Sequence, residues 1–384
     1  MGADWLHTPC LEDRHRARAA ALEGWCARHL PADHADLDGA CRGLAAGLGR
    51  DGWLDITAPG AGAPFDLRAL CLTRAVLAYH DGLADFAFAM QGLGTGAISL
   101  FGTPEHRAHL TATRAGETLA AFALTEPGSG SDAARLTTRA ERLPGGDWRL
   151  EGEKTYISNG GIAGLYTVFA RTGEEPGARG ISAFLMPGDA PGLEVAGRID
   201  VIAPHPLAHL RLNGVILPEG ALIGPAGGGF KVAMSVLDVF RTTVGAAALG
   251  LARRALDEAL GRVRTRRLFG APMGDLQMVQ GHLADMALEV ETATQLIWRA
   301  AWLRDTGQPR ITRQAAMAKL HATEAAQRVA DTAVQLFGGD GVRAGETVER
   351  LYREVRALRI YEGASDVQRI VIARSLLAEG GGAP

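Results

Sequence analysis

Ile360-Tyr-Glu-Gly-Ala-Ser-Asp-Val-Gln-Arg369 places one carboxylate, Glu362, between two apolar residues and a glycine. If that turn is buried, desolvation raises the carboxylate pKa towards the range of a general base; if it is exposed, Glu362 is an ordinary solvated side chain. Ser365 and Gln368 have the spacing of a capping box, which predicts a helix starting there with Glu362 in the turn just upstream.

Three further segments could hold a ligand. Ala121-Phe-Ala-Leu-Thr-Glu-Pro-Gly-Ser-Gly-Ser-Asp132 reads as a strand entering a glycine-rich polar loop. Gly128-x-Gly130-x-x-Ala133 fits the dinucleotide fingerprint only superficially, because that motif needs a helix next and another strand is predicted here. The loop is then a cofactor cradle or a hydrophilic hairpin. Lys154-Thr-Tyr-Ile-Ser-Asn-Gly160 sets Tyr156 and Ser158 on one side of a strand, where a flat cofactor could meet both; taken alone, an edge strand ending in an Asn-Gly turn is the simpler reading. Gln335-Leu-Phe-Gly-Gly-Asp-Gly341 follows a long helix, and its adjacent glycines let backbone amides approach a phosphate or simply cap the helix. Arg241, and Arg266-Arg-Leu-Phe-Gly270 with Gln277 beyond it, lie on helical segments where charge normally marks a solvated face.

The chain that must position these groups has 384 residues, enough for two or three packed units at about 150 residues each. It is 47% apolar and 22% charged, which excludes a disordered chain. Forty Lys and Arg against 43 Asp and Glu leave a net charge of −3, so no basic field attracts nucleic acid or anionic lipid. Cys10, Cys26, Cys41 and Cys71 form no Cys-x-x-Cys pair, so neither a metal site nor a disulfide framework is expected. No basic leader and no uncharged apolar run of about 18 residues is apparent, and a reduced, cytoplasmic protein with no membrane span is expected.

Helical spacing dominates residues 1–118, with Asp66 a good N-cap for a helix over Leu67–Tyr79. Over residues 119–229 short strands are predicted at Leu119–Thr125, Trp148–Ile157, Leu165–Ala170, Ile181–Met186 and Leu210–Leu217, enough for one barrel or sandwich. Over residues 230–384, four helices at about Phe230–Val263, Leu276–Arg304, Thr312–Phe337 and Asp366–Leu377 suggest an antiparallel bundle. The fold class is α+β, mostly α.

Taken together, Thr125-Glu-Pro-Gly-Ser-Gly-Ser-Asp132, Tyr361-Glu-Gly363 and Gly102-Thr-Pro-Glu-His-Arg-Ala-His-Leu110 closely resemble the acyl-CoA dehydrogenase family, from about Gly92 to the C-terminus. The resemblance implies that family's fold: an N-terminal helical domain, a central β-domain and a C-terminal four-helix bundle. It implies FAD between the last two, with a neighbouring subunit of a homotetramer completing the site. Phe122, Thr125, Ser131, Tyr156 and Ser158 match positions that hold the flavin ring and ribityl side, and Ala364 and Asp366 a further flavin stretch. Arg266, Phe269, Gln277, Gln335, Gly338 and Gly339 match positions that reach the adenine and pyrophosphate across a dimer interface. Ser131, Asp238, Arg241, Gly363 and Arg374 fall where the family contacts acyl-CoA. Tyr156 stands where Trp is frequent, Leu268 and Ala364 where Thr is often found, and Gly345 where an acid is usual.

By the same resemblance Glu362 removes the α-proton of a thioester while flavin N5 takes the β-hydrogen as hydride, giving a trans-2-enoyl-CoA, and an electron-transferring flavoprotein collects the electrons. An oxidase or monooxygenase on the same fold, or a non-catalytic scaffold, is the alternative; retention of Glu362, Gly338 and Gly339 argues for the dehydrogenase. If the family register holds through the N-terminal domain, Phe86–Gln91 lies near the far end of the acyl pocket, and bulk at Phe240 shortens it. Gln91 would offer an amide to a polar or ring-borne oxygen, so short, branched or cyclic acyl groups are expected over long chains.

Overall fold

The computed structural model describes residues 3–60, 63–173 and 175–379. It is mostly helical, 59%, with a central sheet. Helices α1 (Asp13–His29), α2 (Leu37–Arg50), α3 (Leu67–His80), α4 (Gly82–Phe101) and the short α5 (Pro104–Ala108) and α6 (Leu110–Arg114) precede the strands. Asp66 caps α3 as expected, its carboxylate accepting from the Ala69 amide. Strands β1 (Ala120–Ala123), β2 (Arg139–Arg142), β3 (Trp148–Ser158), β4 (Leu165–Arg171), β5 (Ile181–Pro187), β6 (Leu193–Arg198), β7 (Leu207–Leu217) and β8 (Leu222–Ile223) follow. Helical structure then returns as α7 (Gly229–Thr265), a β9–β10 hairpin (Arg267–Leu268, Ala271–Pro272), α8 (Gln277–Asp305), α9 (Thr312–Phe337), α10 (Thr347–Leu358) and α11 (Ser365–Glu379).

Contacts gather the described residues into two units, one from Met1–Pro31, Asp66–Asp85 and Arg241–Pro384, the other from Ala32–Phe65 and Phe86–Phe240. The first is helical. Its centre is α9, whose buried face is almost all small: Ala315, Ala316, Ala318, Ala322, Ala325, Ala326, Ala330 and Ala333. Small side chains let backbones come close, and glycines take this further. A Cβ on Gly250 of α7 would stand 2.2 Å from the Ala75 carbonyl oxygen of α3. Helix α10 was not separated in the sequence reading, although Val348, Leu351, Val355 and Leu358 bury one face at helical spacing. Among the described residues, five helices rather than four therefore run from Gly229 onward. Helix α7 is long and apolar enough to cross a membrane by length and composition, but 78% of that stretch is buried in protein.

The second unit is built on one sheet in the order β6-β7-β3-β2-β4-β5-β8, with β1 added parallel to β4. Strands β4 and β5 are buried on both faces except at their last residues, whereas β7 alternates, as a half-covered strand should. Helix α4 is fastened to this sheet through Gln91. Its Nε2 donates to the carbonyls of Thr113 and Thr118, both at 2.8 Å, and its Oε1 accepts from the Ala120 amide at 2.9 Å. The expectation that Gln91 meets a substrate oxygen is thereby corrected: both amide hydrogens are taken by the Thr113 and Thr118 carbonyls, the amide oxygen holds the first residue of β1, and the side chain is fully buried.

Replacing a helical glycine by alanine ordinarily stabilises by about 1 kcal/mol. Gly250→Ala should do the opposite, because the added methyl meets backbone and not a flexible side chain. We expect a loss of roughly 1–3 kcal/mol, as for other overpacked sites, visible as a lower urea midpoint; an unchanged or raised midpoint would refute the close approach.

Candidate active site

Glu362 lies in the turn between α10 and α11, as predicted, and the backbone there is unusual. Glu362 has φ +50° and Gly363 φ +93°, values that side-chain-bearing residues rarely adopt. The Gly363 carbonyl accepts from Lys319 Nζ and from Gln368 Nε2, each at 2.8 Å. Ser365 does not form the expected capping box: its hydroxyl donates to Glu324 Oε1 at 2.6 Å, and Glu324 also pairs with Arg359. Gln368, instead of reaching the cap, turns back to Gly363. The helix still begins at Ser365.

Glu362 is half-buried, but its Oε2 is sealed from solvent and has no hydrogen-bond partner among the described residues. Burial raises its pKa above the usual carboxylate range, while the charges of Arg74, Lys319 and Arg241 pull it down and Asp85 pushes it up. Arg74 and Asp85 escaped the sequence reading. Arg74 grips Asp85 with Nε and Nη2 at 2.8 and 2.7 Å, and Nη1 donates to Thr243 at 3.0 Å. Both charges are buried. Their signal was an arginine in the middle of α3, a helix apolar on nearly every side. Arg241 is buried too, so it is not on a solvated face.

Further predicted positions of the helical unit lie on its surface. Phe269 and Gly270 form the tip of the β9–β10 hairpin with φ +51° and +85°, a turn of the primed type, and Phe269 is 94% exposed. Arg262 ties the base of this hairpin to the Gln335–Gly339 turn, donating to the Phe337 carbonyl and to Asp340. Arg266, Gln277, Gln335, Gly338 and Gly339 are exposed, and a Cβ on either glycine would meet nothing within 4 Å. Ala364 is half-buried beside Glu362, while Asp366 and Arg374 are exposed on α11, Asp366 paired with Arg369.

In the sheet unit, Phe122 and Thr125 are half-buried on β1 and just after it, and Ser131 is exposed in the loop. Asp238, in the first part of α7, is half-buried. The loop itself is tied down by a pair the sequence reading did not single out. Glu126 accepts from Lys154 Nζ at 2.8 Å, from the Thr138 amide at 2.9 Å and from Thr137. Burial would raise the Glu126 pKa, but Lys154 and these donors outweigh it and hold it at about 2. Burial draws the fully buried Lys154 down to about 8 against the attraction of Glu126. Next to Lys154, Tyr156 occupies a bulge in β3 where the pairing with β7 slips, with φ +54° and 60% exposure. Ser158 follows, half-buried, and helix-forming sequence does not follow the loop: one short turn leads into β2.

Thus among the described residues four non-glycines have positive φ, and three of them, Tyr156, Phe269 and Glu362, are predicted site positions. Held strain of this kind gathers at functional sites. Residues 121–215 match the acyl-CoA dehydrogenase middle domain and residues 227–377 its C-terminal domain. The chain belongs to the acyl-CoA dehydrogenase family. It is 43% identical over 285 residues to the human short-chain specific acyl-CoA dehydrogenase, covering 73% of this chain and 69% of the relative. It is 42% identical over 264 residues to the cyclohexane-1-carbonyl-CoA dehydrogenase of Geobacter metallireducens, 68% of each chain. A glutaryl-CoA dehydrogenase from Mycobacterium smegmatis, solved in complex with FADH2, superposes with TM-score 0.88 at 27% identity over 97% of both chains. The enzyme is an FAD-dependent oxidoreductase. Its residues fit that cofactor: Tyr156 leaves an aromatic face open on a rigid bulge, and Gly338 and Gly339 leave backbone clear for close approach.

Lys154→Met would strand the buried Glu126 carboxylate and cost about 3–5 kcal/mol. FAD retention on gel filtration and the urea midpoint should both fall, and an unaffected variant would show that the pair does not hold the loop. Because the folded Glu126 pKa lies below its ordinary 4.5, its stabilisation is present above that value and is lost as pH drops towards about 2.

Proposed function

We propose that the enzyme dehydrogenates an acyl-CoA thioester between its α and β carbons, with Glu362 as the base. The observation that carries this is the sealed, unpartnered Oε2 of Glu362 in a strained turn. A thioester α-hydrogen is only weakly acidic, so its base must be aimed and free of competing hydrogen bonds. Oε2 takes the α-proton and the carboxyl becomes neutral; the hydrogen lost from the β carbon leaves with its electron pair, and the double bond forms between the two carbons. Bound FAD supplies the acceptor for that hydride. Burial raises the Glu362 pKa and so makes the carboxylate a better proton acceptor, while the charges of Arg74, Lys319 and Arg241 oppose that rise.

Phe122, Thr125, Ser131, Tyr156 and Ser158 would serve the flavin and ribityl side from the sheet unit. Arg266, Phe269, Gln277, Gln335, Gly338 and Gly339 would serve the nucleotide half of a neighbour's cofactor. The exposed Phe269, Met278, Leu288 and Val342 support such a covering neighbour, and hence a homotetramer. Sedimentation equilibrium of the holoenzyme should report four chains, and a monomer with tightly bound FAD would overturn this assembly. An electron-transferring flavoprotein is the proposed electron acceptor.

A short, branched or cyclic acyl group is supported by the names of two relatives, short-chain specific and cyclohexane-1-carbonyl-CoA dehydrogenases. The sheet unit adds Phe240, which stacks edge-on against Phe65 at 5.7 Å and fills the space over Gly92 and Gly96. Its bulk, with buried Phe88, leaves less room for a long tail.

Anaerobic bleaching of the flavin by a panel of acyl-CoAs tests reaction and substrate together. Four- to seven-carbon and cyclic thioesters should bleach it faster than dodecanoyl-CoA, since each CH₂ that finds no apolar partner forfeits about 0.8 kcal/mol. Glu362→Gln should bind FAD and ligand normally but slow bleaching by about 10³-fold or more, and near-normal bleaching would remove Glu362 from the role of base.

A further inference from the structure

Lys319 is out of place. It sits on the alanine-lined face of α9 and is fully buried, where an ammonium is tolerated only if hydrogen-bonded and balanced by charge. Among the described residues its ammonium donates to the carbonyl of Gly363, the residue after Glu362, at 2.8 Å. No carboxylate lies within ion-pair distance of it among the described residues. The charges it feels are Glu362 and Glu324, which attract, and Arg241, which repels. Glu324 is already engaged by Arg359 and Ser365. Glu362 in turn faces Arg74 from α3, Asp85 from α4, Arg241 from α7 and Lys319 from α9, with Tyr361 beside it in the turn. Asp85 matches the charge of Arg74 directly. Glu362, with a sealed oxygen lacking any partner, is left as the complement of Lys319.

Resting on the dehydrogenase reading above, we propose that Lys319 is the positioning residue of the base: it clamps the Gly363 carbonyl from α9 and sets a buried positive charge beside that turn, so that the Glu362 carboxylate is held aimed and its negative charge balanced. The clamp is two-sided, since Gln368 takes the other lone pair of the same carbonyl. It explains how the left-handed Glu362–Gly363 backbone persists although the Ser365 hydroxyl is claimed by Glu324. It also accounts for a lysine, drawn down to about 8 by burial, on a face otherwise built mostly from alanine.

Infrared difference spectra of the FAD-loaded enzyme against Glu362→Gln isolate the Glu362 carboxyl band and titrate it without turnover. In Lys319→Met the half-protonation pH should rise by about one unit or more, and the acid limb of flavin reduction by butyryl-CoA should rise with it, a loss of about tenfold on that limb that higher pH restores. Lys319→Gln retains an N–H for Gly363 and should show the charge-dependent rise alone, while Lys319→Arg should titrate near the wild type. An unmoved carboxyl titration in a folded, FAD-loaded Lys319→Met or Lys319→Gln overturns the proposal and leaves Lys319 a mere strut; so does failure of both variants to fold. A wild-type flavin that no acyl-CoA bleaches would instead sink the dehydrogenase reading, and the infrared titration would still decide the role of Lys319.

Discussion

A carboxylate taken out of water needs cations taken out of water with it, and much of the helical unit follows from that requirement at Glu362. Burial pushes the Glu362 pKa up and disfavours the charged form that acts as a base, and positive charge from α3, α7 and α9 opposes that push. Each of those cations is itself buried and needs its own partner, which is why Arg74 comes with Asp85 and Thr243. The alanine face of α9 and the glycines of α7 then make mechanical sense: the helices must approach closely for charges on different elements to act on one carboxyl group.

The sheet unit solves a related problem with different parts. Its loop carries few apolar side chains and cannot be fixed by packing, so one salt bridge, Lys154 to Glu126, does the fixing from beneath. The Thr125 carbonyl of this loop accepts from the Thr155 amide at 3.0 Å, next to the left-handed Tyr156. In both units, then, a buried lysine on a regular element restrains an irregular segment, the Glu362 turn in one and the Glu126 loop in the other.

Much of this was visible in the sequence, because periodicity reports which face of an element is covered. Asp66, the return to helix after residue 229 and the turn carrying Glu362 were all read from local spacing. What spacing cannot report is the partner. Glu126 and Lys154 are 28 residues apart, and Arg74 and Asp85 are 11 apart across a helix break, so nothing local announces either pair. Gln91 was misread for the same reason: a buried amide on a helix looks available until the chain ends that use it are located. Ser365 shows that a motif can match while its hydroxyl is claimed by another helix. Helix α10 carries a plain apolar stripe that announces it, whereas the mostly exposed β6 has no alternation to report it.

The Arg74–Asp85 pair also restricts how this chain can change. Losing either residue alone leaves a bare charge in the interior, at a cost of about 3–5 kcal/mol, whereas exchanging both for apolar residues of similar size can be nearly neutral. A stepwise path through single substitutions therefore crosses a valley that a double replacement avoids. The same holds for chimeras: a crossover placed between α3 and α4 brings together halves from parents that never had to agree on this pair. Splice points before Leu67 or after Phe101 keep both partners from one parent, and library designs on this scaffold should treat the two helices as one inherited block.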